Sequence, residues 1–147
     1  MTLRAADGLQ ENANWAEEPE VHYAFYPEVI EARGQVLAAV IGNRLCDAAI
    51  AKLKSPEGIR GTSYKDMRKL MRTSCADQEG YLLPQAPVLE TVLRMLLTTP
   101  ADKLSLSTLH GQLTDLWMTS PWPRHIAIES LQRVLDNARR YGICQAG

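Results

Sequence analysis

The sequence contains few cysteines, and their placement excludes two classes of small protein. Its 147 residues include three cysteines, Cys46, Cys75 and Cys144. An odd number at wide spacing fits neither a disulfide framework nor a zinc site, and free thiols fit a reducing compartment. A chain of this length buries a core without such links. Cys46 lies in an apolar helical run and is expected in the core, whereas the polar run TSCADQ predicts that Cys75 is an exposed loop thiol.

Long apolar segments are also missing. No run of about 20 uncharged apolar residues occurs, so no segment is expected to span a membrane. The first 20 residues, MTLRAADGLQENANWAEEPE, lack the apolar region of a secretory signal. Apolar residues make up 46% of the chain and charged residues 22%, the ordinary balance of a folded domain. We therefore expect a cytoplasmic protein without a membrane partner.

The motifs of common catalytic and cofactor sites are absent from the sequence. His22, His110 and His125 do not stand three or four residues from one another or from a cysteine, so no local metal site is expected. Neither a glycine-rich phosphate loop nor a nucleophile elbow occurs. A pair of Cys75 with a histidine, formed in space, is the catalytic arrangement left open. We therefore expect that the protein is not an enzyme, and that it has no catalytic residue, no metal site and no cofactor.

Charge is nearly balanced overall but unevenly distributed. The formal net charge is −1, whereas a dedicated DNA-binding domain is usually basic. Residues 1–32 carry one basic and seven acidic residues, and residues 33–75 carry nine basic and three acidic ones. Residues 1–20 are interpreted as a mobile acidic arm whose Trp15 docks on the domain itself or on a partner. The basic segment is either a solvated surface or one that faces a polyanion.

A single domain is expected over residues 21–147, beginning with a long helix and a basic helix. Residues 21–27 alternate like a short strand or an extended lead-in that ends at Pro27. Residues 28–54 form the longest helix candidate, and small residues recur on one of its faces: Gly34, Ala38, Gly42 and Cys46. Such a smooth face indicates close helix packing or a docking surface.

Residues 63–74 predict the most basic helix, with Thr62 or Ser63 as its N-cap. Apolar residues occupy one side: Tyr64, Met67, Leu70 and Met71. Basic residues occupy the other: Lys65, Arg68, Lys69 and Arg72.

Three further helices are predicted after this one, over residues 87–98, 105–117 and 126–141. Gly142 follows the last of them in the position typical of a helix-ending glycine, and Arg139 and Arg140 in the last turn complement the helix dipole.

The last third of the chain resembles a winged helix-turn-helix domain. The segment SLQRVLDNARRYGI is similar to the third helix of that family and its exit, with these residues in the matching places: Leu131, Leu135, Tyr141, Gly142 and Ile143. The resemblance covers residues 87–143. It implies a recognition helix that lies in the major groove of DNA and exposes these polar residues: Arg124, His125, Glu129, Ser130 and Arg133. Phosphate contacts would come from Lys65, Arg68, Lys69 and Arg72.

The expected fold is therefore mostly α, a small helical domain with a helix-turn-helix-like three-helix core over residues 87–147 and at most a short strand or two. Winged helices also bind proteins, so the fold alone does not decide the function. The first hypothesis is a non-catalytic adaptor that binds a protein partner or itself, with Trp15 and Trp122 as contact residues. The alternative is an accessory factor for transcription or replication that binds duplex DNA. Trp117 is expected in the core, and Trp122 is either a packed loop residue or a docking point.

Overall fold

Helices form most of the regular structure, and a small three-stranded sheet accompanies them. The structure is a computed structural model that describes residues 20–53 and 57–146; residues 1–19 of the proposed acidic arm, which include Trp15, lie outside these ranges. In chain order the elements are β1 (His22–Phe25), α1 (Pro27–Ala32), α2 (Leu37–Gly42), α3 (Asp47–Leu53), α4 (Glu57–Arg60), α5 (Tyr64–Ser74), α6 (Val88–Thr98), β2 (Leu104–Ser105), α7 (Leu106–Trp117), α8 (Ile128–Asp136), a 3₁₀ helix (Arg139–Tyr141) and β3 (Ile143–Ala146). The expected mostly α class is confirmed.

The sheet joins the two ends of the described chain. Its strand order is β2-β1-β3, and β1 is antiparallel to both neighbours. Tyr23 pairs with Leu104 on one side, and Phe25 pairs with Ile143 on the other. The strand predicted within residues 21–27 is therefore confirmed, but the sheet has one strand more than the two expected.

The prediction of one long helix over residues 28–54 is wrong, because three short helices occupy this segment. Gly34 has a φ of +80°, a left-handed conformation that glycine adopts without steric cost. Its N–H donates to the carbonyl of Glu31, and the N–H of Gln35 donates to that of Ile30. This pair of bonds is a Schellman motif, which ends α1. The four small residues therefore do not share the face of one helix.

The next predicted helices are confirmed to within one residue at each end. Ser63 is the N-cap of α5, where its side chain accepts a hydrogen bond from the N–H of Asp66. Ser105 caps α7 in the same way through the N–H of Thr108. Pro87 is the N-cap residue of α6.

The last helix is shorter than predicted, because α8 ends at Asp136 and a 3₁₀ turn follows. Arg139 and Arg140 belong to that turn rather than to the α-helix. Gly142 then takes a φ of +75° and leads into β3. A Cβ atom here would lie 2.6 Å from Cε1 of Phe25, so both the conformation and the space require glycine.

The core lies between the helices and the sheet and draws on both halves of the described chain. Trp117 is only 2% exposed, as expected for a core residue. The largest fully buried side chains include Tyr23, Ile30, Ile41, Met67, Met71, Leu93, Leu96, Leu97, Leu109, Leu113 and Leu131. In the part of the chain that the structure describes, no helix has both the length and the apolar character needed to cross a membrane.

Candidate interaction surface

The basic side of α5 divides into two pairs of residues with different surroundings. Lys65 and Lys69 are exposed. Arg68 instead donates to the carbonyls of Leu96 and Ala101, at 3.0 and 3.1 Å. The Nε of Arg72 donates to the carbonyl of Thr99 at 2.8 Å. These carbonyls lie at or just beyond the C-terminal end of α6, where a helix leaves its last carbonyls without partners, so the two arginines hold that end of α6.

Arg124 is likewise bound within the molecule. It precedes α8 rather than lying in its first turn, because α8 begins at Ile128. Its Nη2 donates to the carbonyls of Pro84 and Ala86 at 2.8 and 2.7 Å. The guanidinium also stacks on the ring of Trp117, 4.5 Å from the ring centroid. Arg124 thereby connects the segment before α6 to the end of α7.

The arginines proposed for DNA contact are therefore not brought into one cluster. Arg68 and Arg72 hold the C-terminal end of α6, whereas Arg124 holds residues just before its N-terminal end. Because α6 has 11 residues, these two ends are about 16 Å apart.

The polar side of α8 faces solvent and carries mixed charge. Glu129, Arg133 and Asp136 are exposed, while Leu131 and Leu135 are fully buried. Arg133 donates to the side chain of Ser130 at 3.1 Å. His125 is exposed in the loop before this helix and not on the helix itself.

The loop between α7 and α8, residues 118–127, presents two large apolar side chains to solvent. Trp122 is 85% exposed and Met118 is 67% exposed. Of the two interpretations of Trp122, the packed loop residue is therefore excluded, and the exposed one fits a docking point. We refer to residues 118–127 as the Trp122 loop.

Hydrogen bonds within the molecule hold the Trp122 loop in place. Arg124 anchors it as described, and the ring Nε2 of His110 donates to the carbonyl of Ile126 at 2.8 Å. The backbone N–H of Trp122 donates to the side chain of Ser120 at 3.1 Å. Leu83, 43% exposed, lies beside Pro84 in the segment that Arg124 holds. The exposed tryptophan thus stands on an ordered support.

A carboxylate with two arginine partners is the main electrostatic feature that sequence reasoning missed. Glu90 accepts two hydrogen bonds from Arg44, at 2.8 and 2.9 Å, and one from Arg94 at 3.0 Å. Burial by itself raises the pKa of Glu90, but the two arginines outweigh it and lower the pKa below its ordinary value. The i,i+4 spacing of Glu90 and Arg94 was the available signal, whereas Arg44 is distant in sequence.

The expectation that Cys75 is an exposed loop thiol is wrong. Cys75 is the C-cap of α5 and is fully buried. Its sulfur lies beside that of Cys46, and among the described residues no histidine hydrogen-bonds to it. Within the same residues, no group of three or more His, Cys, Asp or Glu side chains is arranged to hold a metal ion.

Comparisons of the chain with protein-family models, curated proteins and solved structures found no match. The surface features described above therefore carry the functional assignment.

Proposed function

We propose that this protein is a non-catalytic interaction module that binds a protein partner, or a second copy of itself, through the Trp122 loop. The observation that carries the proposal is the 85% exposure of Trp122 on a loop held by side-chain hydrogen bonds. Burying a tryptophan in a partner removes a large apolar area from water. A support that is already ordered limits the conformational entropy lost on binding.

The surroundings of Trp122 support a protein contact. Met118 adds a flexible apolar side chain, a type enriched with tryptophan at protein interfaces. Neighbouring Pro121 and Pro123 restrict the backbone on both sides of Trp122.

The test compares the full chain with Trp122→Ala, using Val36→Ala as a control that removes another exposed apolar side chain elsewhere. Sedimentation velocity over a concentration series first measures self-association. If the chain is monomeric, partners are captured on the immobilised protein, and their dissociation constants are measured by calorimetry. Trp122→Ala is expected to weaken the specific association about 30-fold or more, as truncation of a hot-spot residue does.

The free energy of unfolding should change by less than about 0.5 kcal/mol in Trp122→Ala, because the side chain is exposed. Equal binding by the wild type and Trp122→Ala would contradict the proposal, as would an equal loss in Val36→Ala.

We propose duplex DNA binding through α8 as the second function, on the basis of its exposed polar side and the winged-helix resemblance. Arg133, Lys65 and Lys69 are the exposed basic residues among the contact candidates on α8 and α5. In support of the resemblance, β3 follows α8 as a wing strand would. Its partner β1, however, comes from the other end of the described chain.

Fluorescence anisotropy with a labelled duplex over a salt series tests the DNA hypothesis. Phosphate contacts require that the logarithm of the association constant falls linearly with the logarithm of the salt concentration. Arg133→Ala should reduce that slope by about 1 if Arg133 contacts a phosphate. Glu129 and Asp136 oppose such contact, so binding that is absent even at low salt would eliminate this function and leave the protein-binding proposal standing.

A further inference from the structure

Cys46 and Cys75 bring their sulfur atoms to within 2.7 Å of each other. Cys46 directly precedes α3, and Cys75 ends α5, so the pair connects two separate helices. A disulfide bond is about 2.05 Å long, so the two sulfurs need to approach by only about 0.7 Å. Both cysteines are free thiols in this structure.

The surrounding hydrogen bonds fix the relative position of the pair. The backbone N–H of Cys46 donates to the sulfur of Cys75 at 3.2 Å. The thiol of Cys46 lies 3.3 Å from the carbonyl of Ser74, to which it donates. The N–H of Cys75 is bound to the carbonyl of Met71 as part of the cap of α5. The two side chains are therefore held facing each other.

Solvent access differs between the two thiols. Cys46 is partly exposed and lies in the wall of an open cavity of about 250 Å³, together with Asp47, Gln78 and Arg94. Cys75 is fully buried, and this burial, followed by the contact with Cys46, raises its pKa to about 12. Because Cys46 is the partly exposed member of the pair, a small oxidant from solvent meets it first. The thiolate is the form of a cysteine that reacts.

We propose that Cys46 and Cys75 form a reversible redox site that closes into an intramolecular disulfide when a small-molecule disulfide, such as oxidised glutathione, enters the cavity. The thiolate of Cys46 attacks one sulfur of the oxidant and breaks its S–S bond. The attacked sulfur stays bound to Cys46 as a mixed disulfide, and the other sulfur leaves as the first thiol. Cys75 then attacks the sulfur of Cys46 as it loses its proton, and the second thiol is released. Two protein thiols are oxidised and one small disulfide is reduced to two thiols, and the two protein protons pass to the released thiolates.

The experiment incubates the full chain in glutathione buffers of increasing oxidised fraction, quenches with acid and alkylates the remaining thiols. Intact mass then counts free thiols and detects bound glutathione. Trypsin cleaves after Arg44, Lys52, Arg72 and Arg94, so Cys46 and Cys75 fall in different peptides, which only a disulfide would join. We expect a product that has lost two hydrogen atoms and two alkylatable thiols and carries no glutathione.

Three variants separate this site from general thiol oxidation. Cys144→Ser should oxidise like the wild type, because Cys144 lies on β3 and is not part of the pair. Cys75→Ala should accumulate glutathione on Cys46, because the second thiol is missing. Cys46→Ser, at a partly exposed position, should leave Cys75 alkylatable after denaturation and provides a second test if Cys75→Ala does not fold. A wild type that keeps three free thiols, retains glutathione on Cys46, or links either cysteine to Cys144 would overturn the proposal.

Discussion

At the scale of single residues, Glu90 illustrates how one carboxylate organises distant parts of the chain. It binds Arg44, which follows α2, and Arg94, one turn along α6. Arg94 also donates to the carbonyl of Tyr81 and stacks on its ring, 4.8 Å from the centroid. Since all three ionised side chains are only partly exposed, their pairing is screened less by water than that of a surface ion pair.

Glu90→Gln is expected to lower the free energy of unfolding by about 1–3 kcal/mol at neutral pH, because two arginines lose their charged acceptor. The pKa of Glu90 is lowered in the folded state, so its contribution is complete above the ordinary carboxyl pKa and is lost as pH falls through the lowered value. Urea unfolding at neutral and acidic pH should therefore show a difference between wild type and variant that shrinks in acid.

The matched control for this prediction is Glu129→Gln, at an exposed position on α8. It should change stability by less than about 0.5 kcal/mol at neutral pH. An equal effect of both substitutions would show that the pairing of Glu90 contributes nothing specific.

The sequence predicts which side of a helix is buried better than it predicts the hydrogen-bond partners of individual side chains. The periodicity of α5 predicted correctly that Met67 and Met71 are buried. It grouped Arg68 and Arg72 with Lys65 and Lys69, because all four are basic and share one side of the helix. Only the tertiary position of the C-terminal end of α6 distinguishes the two arginines, and no local pattern encodes that position.

At the scale of elements, α5 stabilises α6 by supplying hydrogen-bond donors to its end. Arg72→Ala is expected to lower the free energy of unfolding by about 1–2 kcal/mol, because the carbonyl of Thr99 loses a charged donor. Lys69→Ala, on the same side of α5 but exposed, should change it by less than about 0.5 kcal/mol. Thermal unfolding of both variants measures the difference; equal stabilities would refute the helix-capping role of Arg72.

The elements that sequence predicted well are those whose signals lie within one turn of helix. Ser63 and Ser105 are capping residues directly before apolar periodicity, so the starts of α5 and α7 were placed correctly. The prediction of one helix over residues 28–54 is wrong because the apolar spacing continues across the break at Gly34. A glycine within a helical pattern can lie inside a helix or at its C-terminal end. Here the hydrogen bonds of the Schellman motif show that the helix ends at this glycine.

At the scale of the whole molecule, the sheet connects the beginning and the end of the described chain. Strand β1 lies between β2 and β3, which follow it by about 80 and 120 residues. Pairing strands that are so far apart in sequence costs loop-closure entropy before their hydrogen bonds form. We therefore expect sheet formation to be slow relative to helix formation. Sequence patterns could indicate β1 but not its neighbours, because a four-residue strand carries no information about its partners.

Hydrogen bonds between the first strand and the last part of the described chain allow the contribution of this contact to stability to be tested. The hydroxyl of Tyr23 on β1 donates to Oδ1 of Asp136 at 2.6 Å, and the side chain of Gln145 on β3 donates to the same oxygen at 2.8 Å. Tyr23→Phe should lower the free energy of unfolding by about 1–3 kcal/mol at neutral pH, because Asp136 loses one of its two donors. Tyr26→Phe, a partly exposed neighbour just after β1, is the control and should have a smaller effect.

The effect of Tyr23→Phe should also depend on alkaline pH. Burial raises the pKa of Tyr23 well above its ordinary value. The hydrogen bond that Tyr23 donates to Asp136 and the negative charge of Asp136 raise it further. Folding therefore keeps the phenol neutral while the unfolded phenol ionises near pH 10, so the stabilisation is complete below about pH 10 and is lost as pH rises towards the raised value. Urea midpoints at about pH 8 and pH 11 should converge for wild type and Tyr23→Phe. A gap that stays constant over this range would contradict a raised pKa of Tyr23 in the folded state.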